Sequence, residues 1–165
     1  METHLFENNT ALLREMQSYL ISKGQTLCTA ESCTGGLLAS LLTHLEGSSQ
    51  FYMGGVSAYA NHAKIRLLEV PEAAISSFGA VSEEVAIAMA EGAMKKLGAD
   101  FAISVTGIAG PGGGSEEKPV GTIFCGFASS KQVSARKYSL QGTRQEIRES
   151  ISTLALTDFF RYIQD

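Results

Sequence analysis

Two serine-bearing turns and one lysine are the residues of this chain whose types could carry out a hydrolysis. Ser32 lies in Glu31-Ser32-Cys33-Thr34-Gly35-Gly36, between a strand-like segment from Thr26 to Ala30 and the apolar stretch Leu37 to Leu45. Ser48 and Ser49 follow Gly47, where that apolar stretch breaks. A serine hydroxyl becomes a nucleophile only beside a base. His4, His44 and His62 stand outside the glycine-rich turns, so no serine–histidine–aspartate set is compelling. Lysine can serve instead when desolvation or a nearby positive dipole lowers its pKa. Lys64 is the candidate, because it follows Tyr59 and Asn61 at a strand-to-helix junction among small residues. A solvated lysine on a short helix is the plainer alternative, and spacing alone does not choose between them.

A second feature with chemical meaning is Val105-Thr106-Gly107-Ile108-Ala109-Gly110-Pro111-Gly112-Gly113-Gly114, where an apolar run enters a dense glycine loop. Residues without a Cβ let successive backbone N–H groups turn outward and approach a ligand closely. Neither G-x-x-x-x-G-K-[ST] nor G-x-G-x-x-G aligns here, so the loop is not one of those phosphate-binding fingerprints. The turn from Ser32 to Gly36 has the strand, small polar turn, helix order that leaves N–H groups free at a helix start to hold an anion. The plainer alternative is that Ser32 or Thr34 caps that helix.

These groups need elements to position them. Asn9 or Thr10 is expected to cap a first helix with Leu12, Leu13, Met16, Leu20 and Ile21 on one face, and Gly24 to stop it. Phe51 to Tyr59 reads as a strand in which Gly54 and Gly55 mark a bulge or a close approach. A short helix follows and ends near Leu68, and Pro71 suits the first position of the next. Ser82 caps a helix from Glu83 to Leu97, with carboxylates leading, lysines trailing and Gly98 at its end. A strand from Ala102 runs into the glycine loop, and a second spans Val120 to Ala128. Ser130-Lys131-Gln132 then turns a hairpin into Val133 to Leu140. Thr143-Arg144-Gln145-Glu146 is a capping box opening a last helix with Ile147, Ile151, Leu154, Ala155 and Phe159 as its stripe. Alternating helices and strands with one late hairpin predict a single α/β domain with a mixed sheet between helical layers.

Composition bounds the rest. A chain of 165 residues with 44% hydrophobic and 18% charged residues is long enough for one substantial core. The net charge of −4 argues against a nucleic-acid binder. No basic-then-apolar leader pattern and no bilayer-length apolar run is visible, so a membrane role is not expected and reduced thiols in a cytoplasmic protein are. Cys28, Cys33 and Cys125 have no C-x-x-C spacing and no paired histidines, so no metal site is expected. Phe51, Tyr52 and Met53, read as exposed apolar residues, suit a homodimer contact.

Several motifs in fixed order resemble one family. They are Ala30-Glu31-Ser32-Cys33-Thr34-Gly35-Gly36, the Tyr59 to Lys64 segment, Gly79-Ala80-Val81-Ser82, Thr106 to Gly113, and Lys118-Pro119-Val120-Gly121-Thr122. They are similar to the C-terminal domain family of the competence-damage protein CinA, whose stand-alone members are nicotinamide-nucleotide amidases. The resemblance runs from the first helix to Arg148. It implies a single three-layer α/β/α domain over residues 1–165 and hydrolysis of the carboxamide of nicotinamide mononucleotide. The products would be nicotinic acid mononucleotide and ammonia, in bacterial pyridine-nucleotide salvage, with no cofactor. Larger relatives carry a further N-terminal domain, so a pyrophosphatase activity tied to it is not expected here. By motif position the resemblance implies Ser32, Ser49, Tyr59, Lys64 and Thr106 as catalytic residues and Arg144 as a substrate contact. Relatives typically carry Ser-Asn where this chain has Ala60-Asn61, and an acidic residue where it has Thr143.

Amide hydrolysis needs a nucleophile, a base that later protonates ammonia, and donors for the oxyanion. The substrate phosphate suits Arg144 and the two glycine turns, through Thr34, Gly35, Gly107, Gly110 and Gly112. Ser49 is the preferred nucleophile with Lys64 as base, because a glycine-led turn can present its hydroxyl free of helical constraint. Ser32 is the close second, and the sequence does not separate them. The competing class is a nucleotide-binding regulatory module that keeps the pocket without the chemistry, and ammonia release distinguishes the two.

Overall fold

The structure, a computed structural model, describes residues 2–164, with side chains from His4 onward; Met1 and Asp165 of the expected domain lie outside the described residues. Five strands form one sheet: β1 (Leu27–Glu31), β2 (Tyr52–Ser57), β3 (Phe101–Gly107), β4 (Thr122–Ser129) and β5 (Val133–Ser139). Their order is β2-β1-β3-β4-β5, with β2, β1 and β3 parallel and β3, β4 and β5 antiparallel. The helices are α1 (Glu2–Lys23), α2 (Leu37–Leu42), α3 (Asn61–Leu68), α4 (Glu72–Phe78), α5 (Glu83–Leu97) and α6 (Arg144–Tyr162).

The helices cover both faces of the sheet. One core packs α1, α2 and α6 against it through Met16, Leu20, Leu38, Leu41, Ile103, Cys125, Ile151 and Phe159. The other packs α3 and α5 through Leu68, Val85, Met89 and Ala93 against Cys28, Ala30, Ala102 and Ala128. The fold is therefore the α/β arrangement with a mixed sheet between helical layers that the sequence pattern predicts. At the contact of α5 with β4, Gly126 lets the helix approach so closely that a Cβ there would overlap the Ala86 carbonyl oxygen. The buried Ser104 hydroxyl bridges the same contact, donating to Ala86 O and accepting from Gly126 N.

Two helices begin on the side-chain caps that their sequence predicts. Ser82 Oγ accepts from Val85 N at the start of α5, and Gly98 ends it. Thr143 and Glu146 form the capping box of α6. The first helix differs, because it is already under way at Glu2 and Asn9 lies inside it. Asn9 is buried and its amide donates to Leu5 O and Thr153 Oγ1, so its polarity serves packing against α6 and not a cap. Pro71 stands one position before α4, not within its first turn. In β2 the register with β1 slips by one residue, pairing Leu27 with Tyr52 and Cys28 with Gly54 and leaving Met53 as the bulge. Phe51 and Tyr52 are not the exposed pair expected from hydropathy. Phe51 is buried, and Tyr52 is half-buried with its hydroxyl on Thr29 Oγ1; only Met53 faces out.

The chain leaves β1 to form β2 on one side and returns to form β3 on the other. Loops leaving the carboxyl ends of β1 and β3 therefore diverge, which opens a crevice at that switch point.

Candidate active site

Three strand exits meet in that crevice. Ser32 follows β1 directly, Tyr59 and Lys64 come from the β2–α3 junction, and Thr106 and Gly107 end β3. With Cys33, Asn61, Ala80, Val81, Ala109 and Arg144 they line a cavity of about 220 Å³.

Lys64 reaches it from within α3. It and Leu68 stand one turn apart and are both buried, so the lysine occupies a position where helical periodicity would favour an apolar side chain. Its Nζ lies 3.0 Å from Ser32 Oγ and 3.2 Å from the Tyr59 carbonyl oxygen, with no carboxylate within ion-pair distance among the described residues. Burial lowers its pKa below the ordinary lysine value, opposed weakly by the Cys33 thiol. Burial also pushes the Cys33 thiol up to about 11, so that sulfur stays neutral beside the pair.

The turn after Ser32 is held from both sides. Glu31, buried at the end of β1, accepts from the amides of Gly36, Leu38 and Ala39. Arg148 of α6 donates to the Cys33 and Thr34 carbonyls. Gly36 takes φ 98°, a left-handed turn conformation that a residue with a Cβ rarely adopts. The first-turn amides of α2 are thus not free to hold an external anion, contrary to the strand–turn–helix expectation: an internal carboxylate already occupies them.

The cavity mouth is closed by Arg144, which donates to the Gly110 carbonyl at 2.8 Å and to the Tyr59 hydroxyl at 2.8 Å. Thr106 Oγ1 donates to the Ala80 carbonyl at 2.8 Å, which anchors the wall that Ala80 and Val81 form. Lys118 fixes the same segment, its Nζ donating to Phe78 O and Val81 O at 2.7 Å each. Beyond Arg144 lies a groove of about 610 Å³ that also touches Phe6, Leu37, Ser40, Gln145 and Arg148.

Of the residues singled out from sequence, Ser32, Lys64, Tyr59, Thr106, Gly107 and Arg144 meet in the cavity. Gly110 joins through its carbonyl alone. Thr34 and Gly35 belong to the Ser32 turn but do not line the cavity, and Gly112 lies out on the exposed loop. Ser49 is elsewhere. It sits on the 3-10 turn Ser48–Gln50 before β2, whereas Ser32 follows β1, and these strands run parallel. The two serines thus stand at opposite ends of the sheet, separated by roughly five residues of strand, or about 17 Å. The structure does not bring Ser49 to Lys64, because a glycine-led turn frees a hydroxyl without carrying it to the other end of the sheet. Glu31, Arg148 and Lys118 were not recognised as site residues, since each acts on backbone groups far from it in sequence or one turn into a helix. Among the described residues, no three His, Cys, Asp or Glu side chains gather where they could hold a metal ion.

The sequence model of the CinA C-terminal domain matches residues 9–163. The chain belongs to the CinA C-terminal domain family. Its CinA relatives include a CinA-like protein of Mycobacterium sp. (strain JLS), 46% identical over 162 residues, which are 98% of this chain and 38% of that protein. A CinA-like protein of Desulfotalea psychrophila is 48% identical over 144 residues, 87% of this chain and 35% of that protein. The chain spans little more than a third of the length of these curated relatives. Solved CinA-family structures superpose along nearly their whole length. The competence/damage inducible protein CihA from Agrobacterium tumefaciens gives a TM-score of 0.89 at 40% identity, covering 92% of this chain and 93% of that one. The competence damage-inducible protein A from Klebsiella pneumoniae gives 0.90 at 32% identity, covering 93% and 96%. No helix among the described residues is long and apolar enough to cross a membrane.

Proposed function

We propose that this CinA-family domain is a serine–lysine amidase that hydrolyses the carboxamide of nicotinamide mononucleotide. The observation that carries the reading is the buried contact of Lys64 Nζ with Ser32 Oγ at 3.0 Å. A lysine with its pKa lowered by burial, and without a carboxylate partner, has little use in packing but suits a proton acceptor.

Ser32 Oγ attacks the carboxamide carbon as its proton passes to neutral Lys64, giving a tetrahedral oxyanion. The C–N bond then breaks, the proton on Lys64 moves to the departing nitrogen, and ammonia leaves an ester on Ser32. Water attacks that ester, giving its proton to Lys64, and collapse returns a proton to Ser32 Oγ and frees the carboxylic acid. The cavity of about 220 Å³ lies below the range usual for a drug-sized ligand, so it receives the carboxamide end alone. Ribose and phosphate extend past Tyr59 toward Arg144 and the adjoining groove, where the guanidinium meets the phosphate.

The test is release of ammonia and nicotinic acid mononucleotide by the purified protein. Turnover is expected, lost in Ser32→Ala and kept within about twofold in Ser49→Ala, because only Ser32 lies at the base. Bound but intact mononucleotide would instead assign the domain to the nucleotide-binding class, and loss of turnover in Ser49→Ala alone would restore Ser49 as nucleophile.

A further inference from the structure

Arg148 does not line the cavity, yet its guanidinium holds the turn that carries Ser32. Nε donates to the Cys33 carbonyl at 3.2 Å and Nη2 to the Thr34 carbonyl at 2.7 Å. The carbonyl of Ser32 itself accepts from Gly35 N at 3.0 Å, so three consecutive carbonyls of the turn have fixed partners. On the far side Glu31 holds the amides of Gly36, Leu38 and Ala39. A cation thus holds carbonyls and an anion holds amides, with the turn between them.

Ser32 Oγ accepts from Lys64 Nζ at 3.0 Å, and Cys33, the next residue, lines the cavity, so the turn that Arg148 fixes sets where the nucleophile stands.

We propose that Arg148 is a positioning residue for catalysis: by fixing the Cys33 and Thr34 carbonyls it keeps Ser32 Oγ at Lys64. The inference rests on the Ser32–Lys64 reading. Arg148 touches no reacting atom, so its loss should appear in kcat and not in KM. A purely structural arginine would lower stability and leave kcat of the folded protein intact. An arginine that gripped the phosphate would raise KM.

The test pairs steady-state ammonia release from nicotinamide mononucleotide with the rate at which a fluorophosphonate probe labels Ser32, for wild type, Arg148→Ala and Arg148→Lys, under conditions where circular dichroism shows each folded. Loss of a base in hydrogen-bond reach costs about 10²–10⁴ in rate, so Arg148→Ala, which lets Ser32 drift from Lys64, should fall at least about 100-fold in kcat with KM within about threefold, and labelling should slow in parallel. Arg148→Lys, with one ammonium in place of a two-point fork, should recover about tenfold of that loss. Unchanged kcat and labelling in Arg148→Ala, or a rise confined to KM, would overturn the proposal. If Arg148→Ala does not fold, Arg148→Lys decides alone: a lower kcat at unchanged KM supports it, and wild-type kcat refutes it. The probe separates this inference from the substrate assignment, since it requires only an activated Ser32. Labelling that slows in Arg148→Ala while wild type leaves the mononucleotide intact would reject the substrate and keep the positioning role. A wild-type Ser32 that resists the probe overturns both.

Discussion

Replacing Lys64 by methionine keeps the buried stem and removes the proton acceptor, so it separates what this residue does for chemistry from what it does to stability. On the chemical side, a base at 3.0 Å from Ser32 Oγ is within hydrogen-bond reach of the proton it must take. Loss of such a group costs about 10²–10⁴ in rate, equivalent to about 2.7–5.4 kcal/mol in the barrier. An unperturbed lysine would be neutral in fewer than about one molecule in a thousand at neutral pH, and each unit by which burial lowers its pKa raises that fraction about tenfold. In wild type kcat/KM should therefore rise with pH as Lys64 loses its proton and level off below the ordinary lysine value of 10.5. On the stability side the sign is opposite to that of a salt bridge. Between the lowered folded value and 10.5 the folded chain binds fewer protons than the unfolded chain, so wild-type stability rises with pH there and falls as pH drops. The methionine variant has no such dependence at this site. Its stability relative to wild type should grow as pH falls through that interval and then level off. Urea melts of both proteins from about pH 6 to 10.5, beside ammonia release at each pH, test the pair of expectations. Near-normal turnover in Lys64→Met, or a stability difference independent of pH, would refute the neutral-lysine reasoning.

Arg144→Ala removes two charge-assisted donations at the cavity mouth, to Gly110 O and Tyr59 Oη. In this exposed setting, loss of its phosphate contact should cost about 1–2 kcal/mol, or about 5- to 30-fold in kcat/KM for the mononucleotide, with a smaller effect on the riboside; equal losses on both would remove the phosphate role. Gly126→Ala places a methyl group against the Ala86 carbonyl oxygen and 2.6 Å from Ser104 Oγ, so it should destabilise by about 1–3 kcal/mol and lower Tm by about 2–12 °C. An unchanged Tm would mean that α5 can lift from β4.

Elements whose ends carry their own chemistry were legible in the sequence: Ser82 and Gly98 bound α5, and Thr143 with Glu146 opens α6. Lys64 was legible as an unusual lysine on a short helix at a strand exit, though not as buried, because its burial comes from elements remote in sequence. The choice between Ser32 and Ser49 had a usable signal that local turn chemistry obscured. Ser32 follows a strand and Ser49 precedes one, and in a parallel sheet the crevice lies at the strands' carboxyl ends. Glu31 and Arg148 carried no comparable signal. Their partners are backbone amides and carbonyls of a turn, and nothing in the spacing from residue 33 to 148 announces such a contact. The early start of α1 was hidden by Asn9, whose polarity satisfies a helix-to-helix bond where a cap was expected.

Arg144 lines both the small cavity and the larger groove. For inhibitor discovery this makes the two halves of the site dependent on each other. A compact amide mimic lodged beside Ser32 and an anion lodged in the groove would each draw on the same five N–H donors, two of which are now spent on Gly110 O and Tyr59 Oη. Fragments selected singly for either half would not sum when joined, and the coupling between them would measure how readily this one side chain gives up its internal partners.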